Sequence, residues 1–455
     1  MDEILSEAEV TMLLNTYMYF NYGEATDGQS VKEIINTLPS DVMSEHKKEY
    51  AILSDAINNP QVGDLKITCQ AKDMGYNKGT NAATFINEAD DKVYVIFRGT
   101  GDGEWYDNGS GLSKAETAQQ KEAVEYFDEV VKTLNINDQT KLYAGGHSKG
   151  GNKVQYITME SKNSDLITAT YSVDGQAHSD AAIKKWKNSY SQDEYAKRVS
   201  KIYGINGAND FISVLGTSII LKENISYIDT PIEGNNIIGF HDITNMYAKR
   251  SVDENGNEEL KYSAQRNDYV LRRGDFADWV RELSEDVMAM PTPVRSANAH
   301  ALMQLMEFTK GSPVGVHGEL ATAMDFKVFG LTGLVTILTS AFSSKEGLKV
   351  LEDFNKKNEF AQSFEGATDI KVNYVALRET ADNLMDASNK LSQTLASMGA
   401  VGAALPLYLD GSIYRKPNFD NSLIKLKELQ LKLKKLSNSE QKIAQLYESF
   451  DNMTL

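Results

Sequence analysis

Gly146-His147-Ser148-Lys149-Gly150 places a serine between two glycines in the spacing G-x-S-x-G. On a sharp strand-to-helix turn, such a serine projects its hydroxyl above a sheet, and the glycines remove the clashes that the turn makes with neighbouring backbone. The chemistry this suits is acyl transfer with Ser148 as nucleophile. The tetrahedral intermediate also needs hydrogen-bond donors aimed at its developing oxyanion. The backbone N–H of Lys149, just after the serine, is one candidate. The loop after an earlier strand, where Phe97-Arg98-Gly99-Thr100 closes an apolar run, offers Thr100 as the other. Cys69 is the only cysteine, so neither an intramolecular disulfide nor a Cys-based zinc site can form, and no metal or cofactor is expected.

The elements that must position these residues follow from pattern. VYVIF (93–97) and KLYAGG (141–146) are short apolar runs of strand type, and 114–134 repeats apolar residues at helical spacing. Beyond the G-x-S-x-G motif the spacing predicts a helix over 152–161, a strand over 167–173, a helix over 181–189 and a strand over 199–205. Alternation of this kind implies βαβ units and a mostly parallel sheet with helices on both faces. A further helix is expected over 6–20, and a hairpin over 250–262 around Asn255-Gly256. Helices over 276–290 and 298–309 offer Phe276, Trp279, Val287, Met288, Leu302, Met303, Leu305 and Met306 either to an acyl trench or to ordinary core packing.

The paired motifs carry a resemblance. VYVIFRGT followed by Trp105 and Asp107, and then by the elbow sequence Gly-His-Ser-Lys-Gly-Gly-Asn (146–152), resembles the class 3 lipases of the α/β-hydrolase fold. It is closer still to their bacterial Mbeg1-like branch, over roughly residues 70 to 310. Lys149 departs from the leucine usual in the fungal lipases, and Trp105 lies one residue nearer the strand. The resemblance implies an α/β hydrolase and a Ser, Asp, His order along the chain. Of the six histidines, His46 precedes the serine and His147 is fixed in the elbow, pointing elsewhere. His178, His241, His300 and His317 remain. In the family pattern the acid follows a strand after the elbow, where Asp210 stands. The base follows as an H-D pair, which Phe240-His241-Asp242 fits. Asp174 is the rival acid and His300 the rival base. The resemblance further implies cleavage of acyl esters in lipids or phospholipids.

The chain has 455 residues and a net charge of −17, from 47 Lys and Arg against 64 Asp and Glu. That balance argues against a general nucleic-acid binder, whose affinity would rest on basic surface. The acidic N-terminus lacks the basic and apolar regions of a signal peptide, and no apolar stretch is long enough to span a bilayer.

From about residue 345 the pattern becomes helical. Ile370, Tyr374, Leu377, Ala381, Leu384, Ser388, Leu391, Leu395 and Met398 form a heptad seam. Leu426, Leu429, Leu433, Leu436, Ile443, Tyr447 and Phe450 form a second. This hairpin, without a W-x-G at its turn, resembles the WXG100/LXG helical modules of Gram-positive type VII secretion substrates. Tyr447 and Asp451 match the Y-x-x-x-D/E export signal of that group. The expected organisation is therefore an α/β-hydrolase lipase-like domain over 1–344 and a helical export and partner-binding domain over 345–455. As a whole the chain resembles secreted lipase toxins. That resemblance implies small helical WXG100-like partners, the type VII machinery, an immunity protein and action at a target-cell membrane. An intracellular carboxylesterase whose helices serve as lid or dimer surface, and a partner-binding protein on a non-catalytic hydrolase fold, are the alternatives.

Overall fold

Parallel strands covered on both faces read as near-continuous apolar runs, and the centre of this protein is built from such runs. The computed structural model describes residues 4–308 apart from 21–24, 77, 102, 234–236, 254–255 and 291, together with Val314, Leu320, Met385 and Lys434. Eight strands make one sheet: β1 (Lys66–Thr68), β2 (Ala82–Asn87), β3 (Lys92–Phe97), β4 (Lys141–His147), β5 (Ile167–Val173), β6 (Ile202–Gly207), β7 (Ile225–Ile228) and β10 (Tyr269–Val270). Their spatial order is β1-β2-β3-β4-β5-β6-β7-β10. Strands β3 to β7 run parallel, β1 and β2 add an antiparallel edge, and β10 closes the other edge antiparallel to β7. A separate hairpin pairs β8 (Ala248–Val252) with β9 (Glu258–Tyr262), with Gly256 at φ +87° in its turn.

Alternation along β3 sorts its side chains to the two faces. Tyr94 and Ile96 pack with Leu13, Leu14, Ile52 and Leu53, from α1 (Glu7–Tyr17) and α4 (Lys47–Ala56). Val93, Val95 and Phe97 pack with Phe127 and Val130 of α7 (Ala118–Thr133) and Val154 and Ile157 of α8 (Lys149–Glu160). Short helices α2 (Val31–Asn36), α3 (Ser40–Glu45) and α5 (Pro60–Gly63) complete the N-terminal layer. α6 (Trp105–Gly111) follows the loop after β3, while α9 (Asp180–Ser189) and α10 (Gln192–Val199) connect β5 to β6. α11 (Asp275–Met288) and α12 (Thr292–Phe308) end the described region. Capping boxes at Ser6, Ser30 and Thr117 fix where α1, α2 and α7 begin, each side chain and its partner at N3 satisfying two otherwise orphaned backbone N–H groups.

The expected strands at β3, β4 and β5 coincide with those observed. The expected strand at 199–205 begins instead at Ile202, because Ser191 caps α10 and that helix runs on to Val199. The expected helix from 152 starts three residues earlier, directly at the serine turn. By its contacts the chain forms two units, Met1–Leu334 with Ser344–Gly366, and Val335–Ser343 with Ala367–Leu455. The second unit, including both heptad seams and Tyr447 and Asp451, lies outside the described residues apart from Met385 and Lys434. Among the described residues no helix is long and apolar enough to cross a membrane.

Candidate active site

β4 ends at His147 and α8 begins at Lys149, so the whole change of direction falls on Ser148. Its backbone sits at φ 58°, ψ −121°, outside the regions an L-residue favours, and its N–H is held by the Val173 carbonyl at 2.9 Å. The flanking glycines are sterically required. A Cβ at Gly146 would come within 2.2 Å of the Gly150 backbone, and one at Gly150 within 2.1 Å of the Phe97 carbonyl oxygen. Lys149 is the first residue of α8, where the backbone N–H has no partner inside the helix.

Asp210 stands just beyond β6 and is fully buried. The Ser213 N–H donates to its Oδ2 at 2.6 Å and the Ile212 N–H to its Oδ1 at 3.3 Å, which fixes the carboxylate. His241 ends a 3-10 turn (Ile237–His241) and places Nδ1 2.6 Å from Asp210 Oδ1. Its other ring nitrogen, Nε2, is buried and has no hydrogen-bond partner. A carboxylate that accepts from Nδ1–H leaves Nε2 as the basic nitrogen. Phe211 packs against the His241 ring at 5.5 Å, and Phe276 on α11 packs in turn on Phe211, Phe240 and Trp279. Of the other residues offered to an acyl trench, Val287, Leu302 and Met303 are buried in the packing of α11 and α12.

The rival residues are engaged elsewhere. Asp174 accepts the Gly207 N–H at 2.7 Å, and burial together with the neighbouring Asp210 pushes its carboxyl well above the usual carboxylate range. His300 sits between Ser110 Oγ, 3.1 Å from Nε2, and the Ser296 carbonyl, 2.6 Å from Nδ1, so both its ring nitrogens are taken. His178 is buried against Trp186, and burial drives its pKa down to about 3. His317 lies outside the described residues.

Thr100 lies half-buried after β3, and its Oγ1 accepts from Asn108 Nδ2 at 2.8 Å. The neighbouring Asp107 pairs with Lys149 Nζ at 2.7 Å, the lysine side chain being fully buried. Consecutive residues of α6 thus hold the two residues expected to form the oxyanion hole.

One expectation is corrected. His147 does not point away from the chemistry; its ring stacks on His241 with centroids 4.8 Å apart. Its Nε2 lies 3.1 Å from the His241 carbonyl oxygen, and its Nδ1 lies 2.5 Å from the hydroxyl of Tyr19. Tyr19, in the 3-10 turn that ends α1, has no signature in the sequence that ties it to the site. His147, Asp174 and His241 bring ligand-type atoms within 4.8 Å of one another. Tyr19, the His241 carbonyl and Asp210 engage three of the four ring nitrogens and leave only His241 Nε2 free, an arrangement that suits proton handling better than metal ligation.

Residues 57–241 match the family model described as Mbeg1-like, a stretch that contains Ser148, Asp210 and His241. No curated protein matches the chain. Among solved structures, a fungal lipase in complex with an inhibitor, described as a model for interfacial activation in lipases, is 12% identical. That match covers 49% of this chain and 77% of the lipase, with a TM-score of 0.28. Over its central part, the chain is thus similar to the Mbeg1-like family.

Proposed function

We propose that this protein is a lipase-type serine ester hydrolase in which Ser148, His241 and Asp210 form a catalytic triad. The observation that carries the reading is the fixed Asp210–His241 pair, 2.6 Å apart, which leaves His241 Nε2 buried and unpartnered while the His241 ring stacks on His147, the residue just before a serine on a strained elbow. Ser148 Oγ attacks the ester carbonyl and gives its proton to His241 Nε2. Asp210 holds the Nδ1–H tautomer and stabilises the imidazolium. The Lys149 N–H and Thr100 meet the oxyanion. The proton then passes to the leaving alcohol, and water, activated by the same base, releases the acid.

Acyl esters of lipids or phospholipids are the proposed substrates, consistent with the aromatic group that Phe211, Phe240, Phe276 and Trp279 form on the His241 side. Hydrolysis of a short chromogenic ester should fall at least ~10³-fold in Ser148→Ala, because triad members act as a unit. Near wild-type turnover in that variant would overturn the reading. Activity on soluble esters without fatty-acid release from mixed bacterial lipids would reduce the substrate class to small esters.

The proposal extends to residues 345–455 as an export and docking module for small helical WXG100-like partners, with Tyr447 and Asp451 as export signal. Its support is the two heptad seams. On this reading the protein is a type VII-secreted antibacterial toxin with a cognate immunity protein. It should reach the medium only when the type VII ATPase is present, and truncation at about 345 should abolish export while leaving ester hydrolysis intact. Export without that ATPase would contradict this part of the proposal.

A further inference from the structure

We propose that Tyr19 and His147 act as a positioning relay that holds the base loop of His241 in register with the serine elbow; this rests on the triad reading above. The direction of each hydrogen bond follows from chemistry. A carbonyl oxygen only accepts, so His147 Nε2 must carry the proton that the His241 carbonyl receives at 3.1 Å. His147 is buried, and both burial and the adjacent His241 hold its pKa well below the ordinary value, so the ring is neutral. A neutral imidazole protonated at Nε2 has only a lone pair at Nδ1, and the Tyr19 hydroxyl must donate to it across 2.5 Å.

The Tyr19 oxygen is in turn faced by the Gly99 backbone N–H, and burial pushes its phenol well above the usual range, so it stays a donor at all working pH. Gly99 is the residue before Thr100. A Cβ there would come 2.3 Å from the Tyr19 hydroxyl and 3.1 Å from Ser148 Cβ. The chain Gly99, Tyr19, His147, His241 therefore joins four parts of the fold: the oxyanion strand, the end of the N-terminal helix, the elbow and the base loop.

The charged and titratable groups around the relay leave it intact. Asp174 Oδ2 lies 3.8 Å from His147 Nε2, and burial together with Asp210 pushes its carboxyl toward the neutral form. Asp242 and Arg98 act on Tyr19 with opposite sign. The His147 ring lies flat against His241, so a proton on His147 would oppose the imidazolium that His241 must become. A neutral His147, fixed by the tyrosine, avoids that conflict. Residues 1–20 lie outside the stretch that matches the family model, so this chain's own N-terminal helix supplies the anchor.

The test is a double-mutant cycle on the full chain with a soluble chromogenic ester, comparing Tyr19→Phe, His147→Ala, their combination and Ser148→Ala. Tyr19→Phe keeps the ring and removes only the hydroxyl. Its kcat should fall about ten-fold with KM nearly unchanged, the scale expected from one unpaired buried polar group. If the two residues act in series, the double variant should be no slower than His147→Ala alone. Additive losses, or wild-type kcat in Tyr19→Phe while Ser148→Ala is inactive, would remove the relay and leave the triad standing. An active Ser148→Ala would remove both. A second readout needs no turnover: histidine 15N shifts should show His147 as the neutral Nε2–H tautomer in the wild type, with the Nδ1 resonance moving on loss of its donor in Tyr19→Phe. A His147 protonated at Nδ1 in the wild type would overturn the relay.

Discussion

At the scale of single residues, the proposed base is the histidine that pairs with a buried carboxylate and still keeps a nitrogen free; His178 also keeps Nε2 free, but its Nδ1 faces Asn152 rather than a carboxylate. His241 spends Nδ1 on Asp210 and keeps Nε2, whereas His300 has both nitrogens engaged, by Ser110 and by its own helix backbone. His241→Ala should therefore lose at least ~10³-fold in ester turnover, and His300→Ala should change turnover by less than about ten-fold. A dead His300→Ala beside an active His241→Ala would move the base. The serine was legible from local spacing because the elbow needs glycines at fixed positions, and a Cβ at either one meets backbone. Tyr19 was not legible. It lies 128 residues from His147 in sequence, and nothing in residues 1–90 distinguishes one tyrosine from its neighbours until the fold brings the two together.

At the scale of elements, α6 is the piece that ties the two sides of the proposed oxyanion hole together, through Asn108 to Thr100 and Asp107 to Lys149. The motif shows that a lysine stands where leucine is usual but not where its charge goes, because its partner is set by the path of the chain after β3. The pair is asymmetric, with the lysine side chain fully buried and that of Asp107 19% exposed. Removing the carboxylate strands a buried cation, which costs on the order of 3–5 kcal/mol, whereas an apolar replacement of the lysine is far milder. Urea unfolding should therefore rank Asp107→Ala well below Lys149→Met in stability. The reverse order would mean that the lysine reaches water by another path. The antiparallel β1 and β2 were not read from sequence because their short runs lack a turn signal as clear as Asn255-Gly256. α10 was missed because its polar sequence, Gln192–Val199, buries only Val199.

At the scale of the whole molecule, buried neutral groups make stability depend on pH. His178 has a folded pKa of about 3, lowered by burial, against an ordinary value near 6.5. His147 is lowered in the same direction. Between those values the unfolded chain binds more protons than the folded one, so stability falls as pH drops from about 6.5 toward 3, by a few kcal/mol for a shift of this size. Lys153, fully buried with Nζ donating to the Gly79 carbonyl, is lowered to about 8, so stability rises between pH 8 and 10.5. Thermal unfolding of wild type and His178→Gln should show the variant gaining stability relative to wild type on going from pH 7 to pH 4. A constant difference would mean that His178 is not buried in its neutral form. The alternation of strands and helices made the layered sheet readable before the structure, because a βαβ unit repeats its pattern along the chain. The two-sided packing of β3 could not be read that way, since it depends on which helices return to which face.

The central claim is that Ser148 is a nucleophile activated by His241 and Asp210. It is tested most directly by treating the purified full-length protein with a fluorophosphonate and locating the adduct by peptide mass spectrometry. The account predicts one phosphonylated residue, Ser148, with labelling lost in Ser148→Ala and strongly slowed in His241→Ala and Asp210→Ala. Labelling of another serine such as Ser110, or labelling of Ser148 at wild-type rate without His241, would contradict it.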